Sequence, residues 1–187
     1  MAEVLLFHHA QGLTRGVVSF ADRLREAGHV VHTPDLYAGR TFAGLDDGVA
    51  HAEELGFENL LNRGVAVAYQ LPGGVVYAGF SLGVMPAQKL AMTRPGAKGA
   101  LLFQAAVPLP YFGGTWPHGV PLQIHTNDAE GFGDVAEARE VVHAVPGAGL
   151  FVYDAKGHLF ADSSLSAYDK KDADLLTERV LAFLERV

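Results

Sequence analysis

Short, continuous apolar segments alternate along the chain with longer amphipathic segments, and this alternation most constrains the fold. The apolar segments are rich in Val, Leu, Ile, Phe and Tyr, and their continuity is typical of strands that are buried on both faces. We predict strands at Glu3–His9, His29–Asp35, Gly74–Phe80, Gly99–Gln104, Pro121–Asn127 and Gly149–Asp154. Buried strands connected by helices predict a parallel sheet.

The segments between these strands have the apolar spacing of helices. We predict helices at Val17–Ala27, Leu45–Tyr69, Leu82–Thr93, Asp134–His143 and Asp169–Arg186, with a long connection at Ala105–Val120. No repeat or linker divides the sequence, so residues 1–187 are predicted to form one domain. The expected fold is α/β, a single doubly wound, mainly parallel sheet with helices on both faces and ligands at the carboxyl edge of the strands.

Composition excludes several classes of protein. The chain has 187 residues, a net charge of -7 and no cysteine. The negative charge disfavours nucleic acid and anionic membranes as partners, and the lack of cysteine excludes thiolate nucleophiles and cysteine-based metal sites. The N-terminus lacks the pattern of a signal peptide, and no apolar run is long enough to span a membrane, so we predict a cytoplasmic protein.

A G-x-S-x-G motif, Gly79-Phe80-Ser81-Leu82-Gly83, lies between a predicted strand and a predicted helix. In this context the motif forms a sharp turn that exposes the serine hydroxyl, and its small residues let the helix and the neighbouring strand approach. The amide of Leu82 at the start of the helix favours negative charge near the hydroxyl. Ser81 is therefore the candidate nucleophile.

A serine nucleophile needs a base, and the base needs an orienting acid. His158 follows the last predicted strand, where the histidine of an α/β-hydrolase lies after the serine and the acid in the chain. Asp128 and Glu130 follow the preceding strand, and sequence spacing does not separate them. We interpret Asp134, at the start of a predicted helix, as an N-cap.

The chain resembles the dienelactone hydrolase family of α/β-hydrolases over nearly its whole length. Four segments carry the resemblance: Phe7-His8-His9-Ala10-Gln11-Gly12-Leu13, Thr33-Pro34-Asp35-Leu36-Tyr37, the motif around Ser81, and Gly157-His158-Leu159-Phe160 with the residues Ala161-Asp162-Ser163-Ser164 that follow. The resemblance implies a triad of Ser81, His158 and an acid, with Glu130 in the matching position and Asp128 second. It also implies an oxyanion hole from the amides of Leu82 and Leu13, and a compact fold without a lid domain.

The chain departs from the family at three positions. Ser81 replaces the family's cysteine, Gln11-Gly12 stands near a family glutamate, and Asp162 stands where the family has an arginine for the substrate carboxylate. An aspartate there would repel an anionic lactone, so the departures favour a neutral ester or acyl substrate. The residues expected to shape the substrate pocket are His9, Gln11, Gly12, Tyr37, Phe80 and Trp116.

Other functions receive weaker support. Imidazole and carboxylate groups at strand ends are plausible metal ligands, and the sequence offers His8, His9, His32, His125 and Asp128. No ligand pair of fixed spacing is present, so we predict neither metal nor cofactor. No dinucleotide or P-loop motif follows the first strand. We therefore predict a serine hydrolase of small esters, lactones or thioesters, with a small molecule as its partner. The alternative is a non-catalytic protein of the same fold that binds a small ligand, and a structure with His158 far from Ser81 and from every carboxylate would favour it.

Overall fold

The protein forms one parallel sheet flanked by helices. The computed structural model describes residues 1–128 and 134–187, and in these ranges the sheet has six strands. The strands are Glu3–Phe7 (β1), Val30–His32 (β2), Val75–Phe80 (β3), Gly99–Phe103 (β4), Leu122–Asn127 (β5) and Gly149–Tyr153 (β6). The helices are Arg15–Glu26 (α1), Leu45–Leu55 (α2), Phe57–Ala68 (α3), Val84–Thr93 (α4), Asp134–Ala144 (α5) and Lys170–Leu184 (α6). The predicted α/β fold is confirmed.

The strand order places the first strand of the chain next to one edge of the sheet. The order is β2-β1-β3-β4-β5-β6, and every pair is parallel. The chain moves outward from β1 to β2 and then returns to the other side of β1 as β3. Ligands of doubly wound folds bind where the strand order reverses, at the carboxyl ends of the strands. In this protein that point lies between the ends of β1 and β3.

The four central strands β1, β3, β4 and β5 are buried on both faces, as their continuous apolar segments predicted, whereas the edge strands β2 and β6 are partly exposed. Along β1, Leu5 and Phe7 join the core beneath α2 to α5, whereas Val4 and Leu6 join the core beneath α1 and α6. A strand whose successive side chains both enter a core has no solvent-facing positions. The carboxyl edge of the sheet is therefore where polar side chains meet.

The sequence-based boundaries lie within three residues of the observed ones, except that one predicted helix is divided. The predicted helix Leu45–Tyr69 is two helices, α2 and α3, separated by Gly56. Gly56 has a φ of +84°, and its amide donates to the carbonyl oxygen of Ala52, which closes α2. Because a left-handed residue ends a helix, the prediction of one continuous helix is wrong.

The connection between β4 and β5 contains only a short 3₁₀ turn at Leu109–Phe112.

Among the described residues, no helix combines the length and the apolar character that crossing a bilayer requires.

A buried imidazole lies within an aromatic cluster on the last two strands. His125 is fully buried, its ring stacks on Phe151 at a centroid distance of 4.9 Å, and its Nδ1 lies 2.8 Å from the hydroxyl of Tyr153. Its Nε2 lies 3.1 Å from Oε1 of Gln123, which can only accept. Nδ1 therefore accepts the Tyr153 proton, and the ring is neutral. Burial, helped by the positive charge of Arg179, lowers the pKa of His125 to about 3.

This cluster predicts a loss of stability in mild acid. The unfolded chain takes up a proton on residue 125 near the ordinary pKa of about 6.5, whereas the folded chain does so only near pH 3. Between these values the unfolded state binds more protons, so His125 makes the free energy of unfolding fall as the pH falls, by at most roughly 1.4 kcal/mol per unit.

Urea unfolding between pH 7 and pH 4.5 tests this contribution. His125→Phe keeps the ring stack but cannot protonate, so its free energy of unfolding should depend less steeply on pH than that of the wild type. The exposed His118 supplies a control, because His118→Gln should keep the wild-type slope. Equal slopes for His125→Phe and the wild type would show that His125 does not contribute.

Candidate active site

Ser81 lies on a sharp turn between β3 and α4. It starts a 3₁₀ turn at Ser81–Gly83 and has a φ of +47°, in the left-handed region that side chains rarely adopt. A Cβ on Gly79 would lie 2.1 Å from the carbonyl oxygen of Gly83, and a Cβ on Gly83 would lie 2.5 Å from that of Phe7. Both glycines are therefore required for the turn to pack against β1.

His158 lies between Ser81 and a carboxylate. Its Nε2 is 2.9 Å from Oγ of Ser81, and its Nδ1 is 2.9 Å from Oδ2 of Asp134. The side chains of His158 and Asp134 are only 6% and 9% exposed. This geometry brings together two residues that are 77 positions apart in the chain, and a histidine placed in this way can take a proton from the serine hydroxyl.

The geometry places a carboxylate other than the two predicted from sequence beside His158. Asp134, which we interpreted as a helix cap, is the carboxylate beside His158, whereas Asp128 is exposed just after β5. Glu130 lies outside the described residues. Asp134 is the first residue of α5 and is buried against the carboxyl edge, so an aspartate at a helix start serves here as the partner of a histidine. The positive end of the helix dipole stabilises a carboxylate in that position.

Asn127, which we did not predict, fixes the loop that carries His158. Its Nδ2 donates to the carbonyl oxygens of Ala155 and Gly157, at 2.8 and 3.1 Å. The amide of Ala155 in turn donates to Oδ2 of Asp172 at 2.7 Å. The end of β5 and the start of α6 therefore hold the His158 loop from two sides. The only indication of this role in the sequence is that Asn127 is the last residue of a predicted strand.

The loop after β1 uses some of its amides internally and leaves others available. The amide of Gln11 donates to Nδ1 of His9, that of Gly12 to the carbonyl oxygen of His9, and that of Thr14 to the carbonyl oxygen of Gly12. Within the described part of the chain, the amides of Ala10 and Leu13 have no such partner. The loop can therefore offer a backbone donor to a ligand at Ser81, as an oxyanion hole requires.

The two histidines at the start of this loop are committed to protein partners. Nδ1 of His8 donates to the carbonyl oxygen of His9 at 2.8 Å, and Nε2 of His8 accepts from the amide of Leu36 at 3.0 Å. Burial lowers the pKa of His8 to about 4, so the ring is neutral near pH 7. Nε2 of His9 lies 2.8 Å from Oδ2 of Asp162. No group of metal-ligating side chains occurs among residues 1–128 and 134–187.

A cavity of about 310 Å³ lies beside His158. Its walls are Gln11, Ala43, Gly44, Leu45, His158, Leu159, Leu165, Ser166 and Ala167. Gln11 closes one side, because its Nε2 donates to the carbonyl oxygens of Phe42 and Ala43 and ties that segment to the loop after β1. Of the residues expected to shape the pocket, Gln11 is the one that lines this cavity.

The other expected pocket residues lie elsewhere. Phe80, the last residue of β3, is buried against Phe103 in the core beneath α1 and α6. Tyr37 is buried against His8, at a ring distance of 4.9 Å. Trp116 lines a separate cavity of about 730 Å³ with Leu122 at the start of β5, the edge opposite Ser81.

Two further predictions for the pocket are corrected by burial. His9 is fully buried, with one nitrogen bonded to Asp162 and the other to the amide of Gln11. Gly12 forms a turn with a φ of +89°, closed over by the carbonyl oxygen of Arg40. The carboxylate of Asp162 is only 3% exposed, so it does not face the substrate, and the expected repulsion of an anionic lactone by this residue is wrong.

Comparison with known proteins agrees with this architecture. The model of the dienelactone hydrolase family matches residues 1–187. No curated protein sequence matches the chain at a significant level.

Among solved structures, a dienelactone hydrolase from Anabaena variabilis has a TM-score of 0.75 at 16% identity, covering 100% of this chain and 86% of its own. A methylesterase from Arabidopsis has a TM-score of 0.69 at 12% identity, with full coverage of both chains. A dienelactone hydrolase-like promiscuous phosphotriesterase from metagenomic libraries has a TM-score of 0.69 at 14% identity, covering 100% of this chain and 86% of its own. These likenesses establish the fold, and the match of the family model over the whole sequence shows that the chain is a hydrolase that belongs to the dienelactone hydrolase family.

Proposed function

We propose that the protein is a serine hydrolase that cleaves small, neutral carboxylic esters or thioesters through an acyl-enzyme. The observation that carries this proposal is the line of contacts from Oγ of Ser81 through the His158 ring to Oδ2 of Asp134, with both distances at 2.9 Å. A His158 far from Ser81 and from every carboxylate would favour the non-catalytic alternative, and the observed distances are the reverse of that arrangement.

The reaction follows from the roles of the three side chains. Oγ of Ser81 attacks the acyl carbon while Nε2 of His158 takes its proton, and the negative charge of Asp134 stabilises the imidazolium that forms. His158 then gives the proton to the leaving oxygen or sulfur, which leaves the acyl group on Ser81. A water molecule, deprotonated by His158, releases the carboxylic acid and restores the serine. Each step conserves the proton and the acyl group.

The negative charge on the carbonyl oxygen needs donors that are in place before the reaction. We assign this role to the backbone amides of Leu82 and Leu13. Leu82 follows the nucleophile in the 3₁₀ turn, and Leu13 lies in the loop after β1, where its amide is available. The packing of Gly83 on β1 supports this assignment because it brings the two backbone segments together.

Reaction with a fluorophosphonate tests whether Ser81 is activated. Intact-protein mass spectrometry should find a single adduct on the wild type and none on Ser81→Ala, because the reagent reacts with an activated serine hydroxyl, which the variant lacks. His158→Ala should react much more slowly, since it lacks the base. Circular dichroism checks that both variants fold. A folded wild-type protein that forms no adduct would contradict the proposed function.

Substitution of the three candidate carboxylates identifies the acid. Asp134→Asn should lower kcat by about 10³- to 10⁴-fold, because the amide no longer stabilises the imidazolium and favours the wrong tautomer. The matched control Asp128→Asn should retain wild-type kcat, since the side chain is exposed. Glu130→Gln tests the third candidate carboxylate. A large loss of kcat in either of these two variants, with Asp134→Asn active, would assign the acid to the other residue.

The cavity beside His158 supports a small and neutral substrate. Its volume of about 310 Å³ is at the lower end of ligand pockets. Among the described residues, the nine that line the cavity include no Asp, Glu, Lys or Arg. An anionic substrate would lose its hydration there without gaining a cationic partner, which is costly.

Two nearly isosteric esters separate charge from size. We expect 4-nitrophenyl pentanoate to have a kcat/KM at least about 10-fold above that of 4-nitrophenyl hemisuccinate, because only the latter buries a carboxylate. Ser166→Lys, which adds a cation to an exposed position of the lining, should narrow this ratio. A wild-type preference for the hemisuccinate would contradict the neutral-substrate proposal.

A further inference from the structure

A second histidine–aspartate pair is buried next to the candidate active site. Nε2 of His9 lies 2.8 Å from Oδ2 of Asp162, and the hydroxyl of Thr14 donates to the same oxygen. The other carboxylate oxygen accepts from the amide and the hydroxyl of Ser164, at 2.8 and 2.6 Å. The side chains of His9 and Asp162 are 0% and 3% exposed. The chain thus buries an aspartate that accepts four hydrogen bonds, a costly arrangement unless every bond is made.

The carboxylate determines which nitrogen of His9 carries the proton. An ionised carboxylate only accepts, so Nε2 of His9 must donate to Asp162. Nδ1 is then an acceptor, and it receives the amide of Gln11 at 3.2 Å. With the proton on Nδ1 instead, that nitrogen would face the Gln11 amide as a second donor, and the contact would be repulsive. The direction of one backbone amide in the loop after β1 therefore depends on Asp162.

The pair also joins the two loops that flank Ser81. His9 lies in the loop after β1, which offers the amide of Leu13, whereas Asp162 lies in the loop after β6, four residues beyond His158. The amide of Asp162 donates to the carbonyl oxygen of Leu159 at 3.0 Å, so the turn that follows His158 also positions this carboxylate.

The packing around the carboxylate is specific. A Cβ on Gly16 would lie 1.7 Å from Oδ1 of Asp162, so only glycine fits at that position of α1. Oγ1 of Thr14 accepts from the amide of Val17 while its proton goes to Asp162, so the hydroxyl both caps α1 and holds the carboxylate. The start of α1 is thus built around Asp162.

We propose that Asp162 and His9 are positioning residues, which orient the backbone amides of residues 10–13 so that one of them can stabilise the oxyanion formed at Ser81. The kinetic consequence of this inference rests on the proposed hydrolase function, whereas the orientation of the loop amides does not. Asp162 acts through His9, and His9 acts through the amide of Gln11, so neither side chain touches the substrate. The fixed direction of the Gln11 amide leaves those of Ala10 and Leu13 available.

The ionisation of Asp162 agrees with this role. Burial by itself would raise the pKa of this carboxyl, but hydrogen bonds from His9, Ser164 and Thr14 outweigh it and hold the pKa below its ordinary value. The group is therefore an acceptor throughout the neutral range.

Nuclear magnetic resonance of the wild-type protein tests the structural part without a substrate. The ¹⁵N shifts of His9, assigned by their loss in His9→Gln, should report a proton on Nε2 and none on Nδ1. The amide of Gln11 should exchange slowly with solvent, and Asp162→Asn should speed that exchange by about 5-fold, because one hydrogen bond of about 1 kcal/mol is lost. A wild-type His9 with its proton on Nδ1 would overturn the proposal, and this measurement does not require Asp162→Asn to fold.

Steady-state kinetics test the consequence for catalysis. Asp162→Asn and His9→Leu should lower kcat by about 10- to 100-fold, less than the loss of an oxyanion donor itself, because the donor is displaced rather than removed. KM should change little, and the pH midpoint of kcat/KM should stay in place, since Ser81, His158 and Asp134 are untouched. His9→Gln should recover much of the activity, because its Oε1 can accept the Gln11 amide while its Nε2 donates to Asp162.

A purely structural role predicts a different pattern. The control Thr177→Val removes another buried hydroxyl, one that donates to the carbonyl oxygen of Ala173 within α6, and should lower the melting temperature with no change in kcat. If Asp162→Asn behaves like this control, the positioning role is wrong. If the wild-type protein has no hydrolase activity and Ser81 does not react with fluorophosphonate, the proposed function fails, whereas the exchange of the Gln11 amide still decides whether Asp162 orients the loop.

Discussion

The close approach of the Ser81 turn to β1 is the constraint on which the site depends. Gly83 lies so near the carbonyl oxygen of Phe7 that a single methyl group would not fit. This contact forces the chain to turn within three residues, and the turn places Ser81 in a left-handed conformation with its hydroxyl at the carboxyl edge of the sheet. Strain of this kind persists only where the surrounding structure holds it. Here the buried strands on both sides and the start of α4 supply that support.

Parallel topology brings the rest of the site to the same edge. Ser81 follows β3, Asn127 ends β5 and His158 follows β6, so residues far apart in the chain meet because all strands end on one side. The sheet sets only the approximate distance, and hydrogen bonds set the final geometry. Asn127 holds the carbonyl oxygens on either side of Lys156, and Asp134 lies against the ring of His158. The rigidity of the site therefore comes from groups that take no part in bond breaking.

The residues with a local pattern were predictable, and those defined by tertiary contacts were not. Continuous apolar strands and the G-x-S-x-G motif have local causes, so the α/β fold and the position of Ser81 follow from the sequence. An aspartate at a helix start is equally suited to capping and to contacting a histidine, and only the packing of α5 on the sheet edge distinguishes them, which is why the sequence alone did not place Asp134 beside His158. Trp116 was expected in the pocket because it lies in the connection that follows β4, yet that connection runs to the opposite edge of the sheet.

The two buried histidine–aspartate pairs differ in what the second nitrogen of each ring meets. In both pairs a carboxylate lies beside one nitrogen, at 2.9 Å for His158 and 2.8 Å for His9. The other nitrogen of His158 meets the hydroxyl of Ser81, which can lose a proton, whereas that of His9 meets the amide of Gln11, which cannot do so at neutral pH. The same pairing can therefore drive proton transfer in one place and fix backbone direction in the other. Its role is decided by the third group, and neither the carboxylate nor the imidazole determines it alone.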